Sequence, residues 1–117
     1  MNQKDLLNDI GENATLNQIQ DYVEKVVELR GFANQPVQET VLLLLEEMGE
    51  LAKAVRKAAT RMSVDVDKMH SYDSVESEAA DVFFVLVALC NQLDVNLLDA
   101  LKEKELKNCE RNWSFDR

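Results

Sequence analysis

The sequence predicts an all-α fold, a four-helix bundle assembled as a homo-oligomer. Three observations support it. Gly and Pro number only three and one in 117 residues, so long stretches pass without turn punctuation. Leu, Glu, Ala, Lys and Gln, which favour helix, are all well represented. Apolar residues recur at steps of three and four, the period of an amphipathic helix. The length suits one domain with one core.

Residues 1–14 are polar with a small apolar patch, Leu6, Leu7 and Ile10. They read as a frayed leader or a short helix at a subunit contact. The helical domain spans 15–113, followed by a short tail, 114–117. Its first helix starts at Thr15, which has capping-box spacing to Gln18. Leu16, Ile19, Val23, Val26 and Leu29 form its apolar face, and Gly31 stops it.

Pro36 suits the first turn of a second helix running to about Met62. Acids lead this helix (Glu39, Glu46, Glu47, Glu50) and bases follow (Lys53, Arg56, Lys57, Arg61), the order its dipole favours. Val41 to Leu45 is apolar on every side, which suits the centre of a bundle or a surface covered by another chain. So short a chain has few helices to surround it; hence the expected homo-oligomer. Residues 63–73 read as a loop. Asp73 and Glu76 have capping-box spacing for a third helix, with Val75, Val82, Phe83, Leu86, Leu89, Cys90 and Leu93 on its apolar side. Asn96 caps a fourth, ending near Asn112, with Asp99 at its third position.

The formal net charge is −9, which repels phosphates and argues against a nucleic-acid polymer as partner. A nucleotide would meet the same repulsion unless a cation stood between. The N-terminus opens no signal peptide, and the longest pure apolar run, Val41 to Leu45, is too short to cross a bilayer. Cys90 and Cys109 have no metal-ligand spacing and read as reduced thiols. The expectation is a cytoplasmic protein without a membrane partner.

Glu47 and Glu50 share a helix face, as do Glu78 and Asp81. Two antiparallel helices can bring these pairs together, so that four carboxylates converge. They cannot all remain ionised without a counter-charge. Magnesium, a hard cation that takes oxygen ligands, supplies it, and manganese also fits. The acids sit among apolar residues, where charge is costly unless paired or metal-bound. The alternative is ion pairing: Glu50 can reach Lys53 or Lys57, whereas Glu78 and Asp81 have no base within four positions. Gly49, inside a helix, points to close packing or ligand approach.

Glu46-Glu47-x-x-Glu50 followed by Glu78-x-x-Asp81 resembles the signature of the MazG-type all-α nucleotide pyrophosphohydrolases. The wider match takes in Leu45 to Ala54, Glu78 to Val82, and Lys104-x-x-x-Asn108-x-x-Arg111. The resemblance implies hydrolysis of a nucleoside triphosphate to the monophosphate and pyrophosphate, an activity suited to nucleotide-pool house-cleaning. It implies magnesium on Glu47, Glu50, Glu78 and Asp81. Glu46 would then be a further acid, orienting the attacking water or serving as its base. It also implies a dimer or tetramer.

Lys104, Asn108 and Arg111 share one face and could hold phosphate or sugar oxygens. Lys53 and Lys57 follow the acidic stripe and could help. Phe32, Trp113 and Tyr22 could stack on a base. The rival assignment is a non-catalytic acidic helical module, a degenerate relative that keeps the bundle without turnover. Three other motifs fail. The Nudix-like fragment at Glu46-Glu47 has Leu42-Leu43 where Arg-Glu belongs. A di-iron bundle needs more histidines than His70 alone. The EF-hand-like run from Asp65 to Glu76 has Met69 and His70 where a ligand and Gly belong.

Overall fold

The computed structural model describes residues 2–114, the side chains of 69–71 excepted. Among these residues the chain is all helical: α1 (Gln3–Asn8), α2 (Leu16–Leu29), α3 (Val37–Ala59), α4 (Val75–Gln92) and α5 (Leu97–Cys109), with a 3₁₀ turn at Val66–Ser71 between α3 and α4. The four expected helices are present, preceded by the short α1 that packs on α2. The tail beyond 114, and the side-chain readings at Met69 and His70, lie outside the described residues.

Local chemistry sets most boundaries. Thr15 accepts from the Gln18 N–H, and the Gln18 side chain accepts from the Thr15 N–H, closing a capping box. Gly31 takes a φ of +83°, the left-handed conformation that ends α2 at little steric cost. The α3 helix stops at Ala59, short of Met62, because the Thr60 hydroxyl donates to the Arg56 carbonyl while its own backbone turns extended. The α4 cap is Ser74, which accepts from the Ser77 N–H, rather than Asp73. That one-residue shift frees Asp73 for another role. Asn96 caps α5 by accepting from the Asp99 N–H, as expected.

The most extensive packing joins α3 to α4. Gln92 on α4 meets Gln35 before α3, Asp81 meets Glu47, and Tyr72 before α4 meets Arg56 late in α3, so the two helices run antiparallel. The α2 helix lies across α4, burying Val23 and Val26 near Val87 in a core that is small for 117 residues. Gln20 ties α2 to the α4–α5 corner. Its amide nitrogen donates to Asn91 Oδ1 and to the Val95 carbonyl, and its amide oxygen accepts from the Leu97 N–H. Asn91 Nδ2 donates back to the Gln20 carbonyl. Replacing Gln20 by Ala leaves several sheltered groups unpaired; we expect a loss of about 2–4 kcal/mol, read by urea unfolding.

The corner turns through 97° between α4 and α5, with Asp94 in the left-handed region at φ 54°. As a result α5 leaves the bundle, packs chiefly on α2 and buries no residue of its own. Within one chain this is three long helices and an arm, not a closed four-helix bundle. The radius of gyration, 17.5 Å, exceeds the value of about 13–14 Å for a compact domain of this length.

Two expectations change at α3. Val41 to Leu45 is not at the centre of the single chain: Leu42 and Leu45 are 64% and 58% exposed. The apolar stripe continues through Met48 and Val55, and Phe83, Leu86, Leu98 and Leu101 are exposed elsewhere. Gly49 does not mark close packing within the chain, since a Cβ there meets nothing within 4 Å. No single helix among the described residues is long and apolar enough to cross a membrane.

Candidate metal centre

The antiparallel pairing of α3 with α4 sets Glu47 opposite Glu78 and Asp81. One carboxylate oxygen from each lies within 4.8 Å of the other two. Oxygens trans to one another across a magnesium ion stand about 4.2 Å apart, given metal–oxygen distances of about 2.1 Å. Only one pair among three ligands can be trans and the cis pairs stand about 3 Å apart, so the carboxylates would rotate inward to share one hard cation, which their all-oxygen chemistry suits.

The electrostatics point the same way. Burial, then the Asp81, Glu46 and Glu50 charges, push the Glu47 carboxyl above its ordinary range. Glu78, 4% exposed, is pushed up by burial, then by Asp73, both through its charge and through a hydrogen bond, and by Asp81 and Glu50. Asp73, freed from the capping role, thus belongs to this acidic cluster. The sequence pattern hid it, because its spacing to Glu76 gave it a different explanation.

Glu50 lies close enough to act on both raised carboxyls, yet stands outside the three-oxygen set. Its Oε2 is 3.5 Å from Lys53 Nζ, a partly exposed pair of small energetic worth. Glu46 is exposed beside the cluster.

A raised folded-state pKa gives a definite sign. Each of these two glutamates contributes stability below the ordinary carboxylate pKa of 4.5 and loses it as pH rises through the elevated value. Metal-free protein should therefore melt at a lower temperature at neutral pH than near pH 5. Magnesium or manganese should raise the melting temperature more at neutral pH than near pH 5, because the ligands must be ionised. Thermal melts across that range, with metal and with chelator, check this.

A cavity of about 380 Å³ opens beside the acids, between α2, α3 and α4. Glu47 and Asp81 stand in its wall with apolar Leu43, Phe84 and Val85, and Thr40 and Gln92 supply polar groups. The Arg30 guanidinium sits 5.0 Å from the Phe84 ring centre. Phe32 also lines this cavity, whereas Tyr22 lies at a different depression near α1. Arg30, Gln35, Phe84 and Gln92 escaped the sequence reading, since only tertiary packing draws them together.

Beyond the acids, Arg56 Nη2 donates to the Tyr72 hydroxyl at 2.9 Å. Lys53 and Lys57 place their Nζ atoms 4.7 and 5.8 Å from the same ring's centre. Lys104 and Asn108 on the departing α5, and Arg111 just past its end at Cys109 (short of the expected end near Asn112), line none of the cavity that holds the acids. Asn108 instead donates to Glu105 and accepts, through its carbonyl, from the Trp113 indole. Cys90 and Cys109 are free thiols, and burial pushes the Cys90 thiol up.

Comparison with known proteins adds three findings. The family model described as the MazG nucleotide pyrophosphohydrolase domain matches residues 35–113. A solved structure, described as the Bacillus-conserved MazG protein, a nucleotide pyrophosphohydrolase, superposes with a TM-score of 0.62 at 27% identity, covering 92% of this chain and all of that one. The protein YpjD of Bacillus subtilis (strain 168), described as uncharacterized, is 42% identical over 60 residues, 49% of this chain. That match spans 50% of YpjD, so the chain covers about half the length of this curated relative.

Proposed function

The chain belongs to the MazG nucleotide pyrophosphohydrolase family, and from that membership we propose that it hydrolyses a nucleoside triphosphate to the monophosphate and pyrophosphate. The single observation that carries this reading is the convergence of Glu47, Glu78 and Asp81 beside a cavity large enough for a nucleobase and sugar. The cation proposed there is magnesium, with manganese as a substitute.

Cleavage of a phosphate anhydride needs charge neutralisation, an attacking water in line with the leaving group, and a held leaving group. A divalent cation bound by Glu47, Glu78 and Asp81 supplies the neutralisation at the phosphoryl oxygens. Glu50 works from the same helix face, orienting the water or completing the ligand shell. Glu46, exposed beside Glu47, orients the attacking water or accepts its proton. Phe84 and Phe32 offer apolar surface to the base. This chemistry suits cleansing of the nucleotide pool.

We further propose that the working form is a dimer or tetramer. Its support is the exposed apolar stripe of α3 and the arm-like α5, which buries nothing in its own chain. A second copy could also bring Lys104, Asn108 and Arg111 to an acidic cluster that they do not reach in their own chain.

The test is incubation with magnesium and a panel of deoxyribo-, ribo- and oxidised nucleoside triphosphates. Pyrophosphate and monophosphate should appear from at least one. Metal-dependent stabilisation without turnover on any triphosphate would favour the non-catalytic module instead.

A further inference from the structure

The cavity beside the acids has an uneven supply of polar atoms. Glu47 and Asp81 stand in its wall, and the proposed cation claims both. The other polar side chains in the wall are Arg30, Gln35, Thr40 and Gln92. Their hydrogen bonds to one another decide what each has left to offer.

Gln92 Nε2 donates to the Gln35 carbonyl at 2.7 Å, which fixes the orientation of the Gln92 amide. Its Oε1 is then sealed from water without a partner, so it presents no acceptor to a ligand. The Thr40 hydroxyl donates to Gln35 Oε1 at 3.4 Å, and Thr40 is itself buried. Gln35 Nε2 has no partner among the described residues and remains a free donor. Arg30 is the largest reserve. Its guanidinium rests 5.0 Å from the Phe84 ring centre, and the residue is exposed. Among the described residues it has no hydrogen bond and no carboxylate within ion-pairing distance. A guanidinium carries five N–H donors and no acceptor. Apart from the acids, the side chains of this cavity therefore offer free donors and no accessible, unengaged acceptor.

We propose that Arg30 selects the base, so that the cavity takes nucleobases with a carbonyl on the pairing edge over those with an amino group there. The assignment rests on the proposed hydrolysis and names a substrate class for it. A carbonyl oxygen on that edge accepts from the Arg30 guanidinium or from Gln35 Nε2. An amino group in the same place is a donor set against donors. It gives up its water, finds no acceptor and faces a positive charge. Uridine, thymidine and inosine triphosphates are the favoured substrates; cytidine and adenosine triphosphates are disfavoured. Arg30 touches the base, whereas Phe84 holds the guanidinium in place.

Two matched pairs test this: uridine against cytidine triphosphate, and inosine against adenosine triphosphate. The members of each pair differ only at the edge in question. In the parent protein kcat/KM should favour the carbonyl member about tenfold or more, the worth of one charge-assisted hydrogen bond. Calorimetric titration of the magnesium-loaded chain with the four corresponding monophosphates should give the same order without turnover. Arg30→Met keeps an apolar stem on Phe84 and removes the donors; it should bring each ratio towards unity by weakening the carbonyl members. Arg30→Gln sets an acceptor beside a donor and should improve the amino members. If a variant fails to fold by circular dichroism, the parent's own ratios carry the test. Amino members equal or better in the parent, no monophosphate bound by the parent, or an equal loss for all four ligands in Arg30→Met would overturn the selection. Monophosphate affinities in the expected order with no triphosphate hydrolysed would uphold the selection and overturn the enzymatic reading alone.

Discussion

Asp81→Asn should lower kcat/KM for triphosphate hydrolysis by about a thousandfold or more while the far-ultraviolet spectrum stays helical. The substitution keeps shape and removes the charge that helps hold the cation, so the stabilisation of developing phosphoryl charge is lost with it. Glu47→Gln should lower turnover likewise, while making the metal-free protein more stable. Its carboxyl is held in a sheltered place against Asp81, Glu46 and Glu50, which disfavour its charge. The neutral amide relieves that repulsion, so the metal-free variant should melt at a higher temperature than the metal-free parent. Its gain on adding magnesium should shrink. Glu50→Gln, outside the three-oxygen set, should cost about ten- to a hundredfold, as supporting groups around metal sites do. Steady-state kinetics and paired melts separate the three variants. Full activity in Asp81→Asn would remove the metal-centre assignment.

The second large effect concerns assembly. Leu45→Glu should dissociate the proposed dimer or tetramer to monomers at micromolar concentration, as measured by sedimentation equilibrium. Leu45 lies in the exposed stripe that runs through Val41, Leu42, Met48 and Val55. Burying one such leucine is worth about 1.5–3 kcal/mol. In a two-fold interface the change occurs twice, so the dissociation constant should rise about a thousandfold or more. If the monomer retains the acidic cluster, it should still be stabilised by magnesium. Turnover should fall if α5 of a second copy completes the site. Unchanged mass after Leu45→Glu would remove this stripe as the interface, and a monomeric parent would overturn the proposed assembly.

The parts of this molecule written in adjacent residues were readable, and those written across the chain were not. Thr15 with Gln18, Gly31, and Asn96 with Asp99 act over one turn, so their roles follow from spacing alone. That acids on α3 and α4 meet follows from the i, i+3 pairs on two helices, although three of the expected four, Glu47, Glu78 and Asp81, come together and Glu50 stands outside. The direction of α5 was not legible. It depends on Gln20 reaching Asn91, Val95 and Leu97, contacts more than seventy residues away in sequence. The same limit hid Tyr72, whose three cations sit on a different helix, and Gln92, whose amide donates to the Gln35 carbonyl. Asp73 was misread because a serine one position later makes the better cap. Val41 to Leu45 reads as needing cover, and its own chain supplies little of it, since most of the run is exposed.

The single tryptophan, Trp113, stands 71% exposed past the end of α5, its indole N–H bonded to the Asn108 carbonyl. The molecule thus carries an optical gauge at the tip of its arm. In isolation the indole emits from a wet environment. If a neighbouring copy receives the arm, the emission moves to shorter wavelength as concentration rises, and dilution restores it. No dye is needed, and the emission reports the docking of the arm directly.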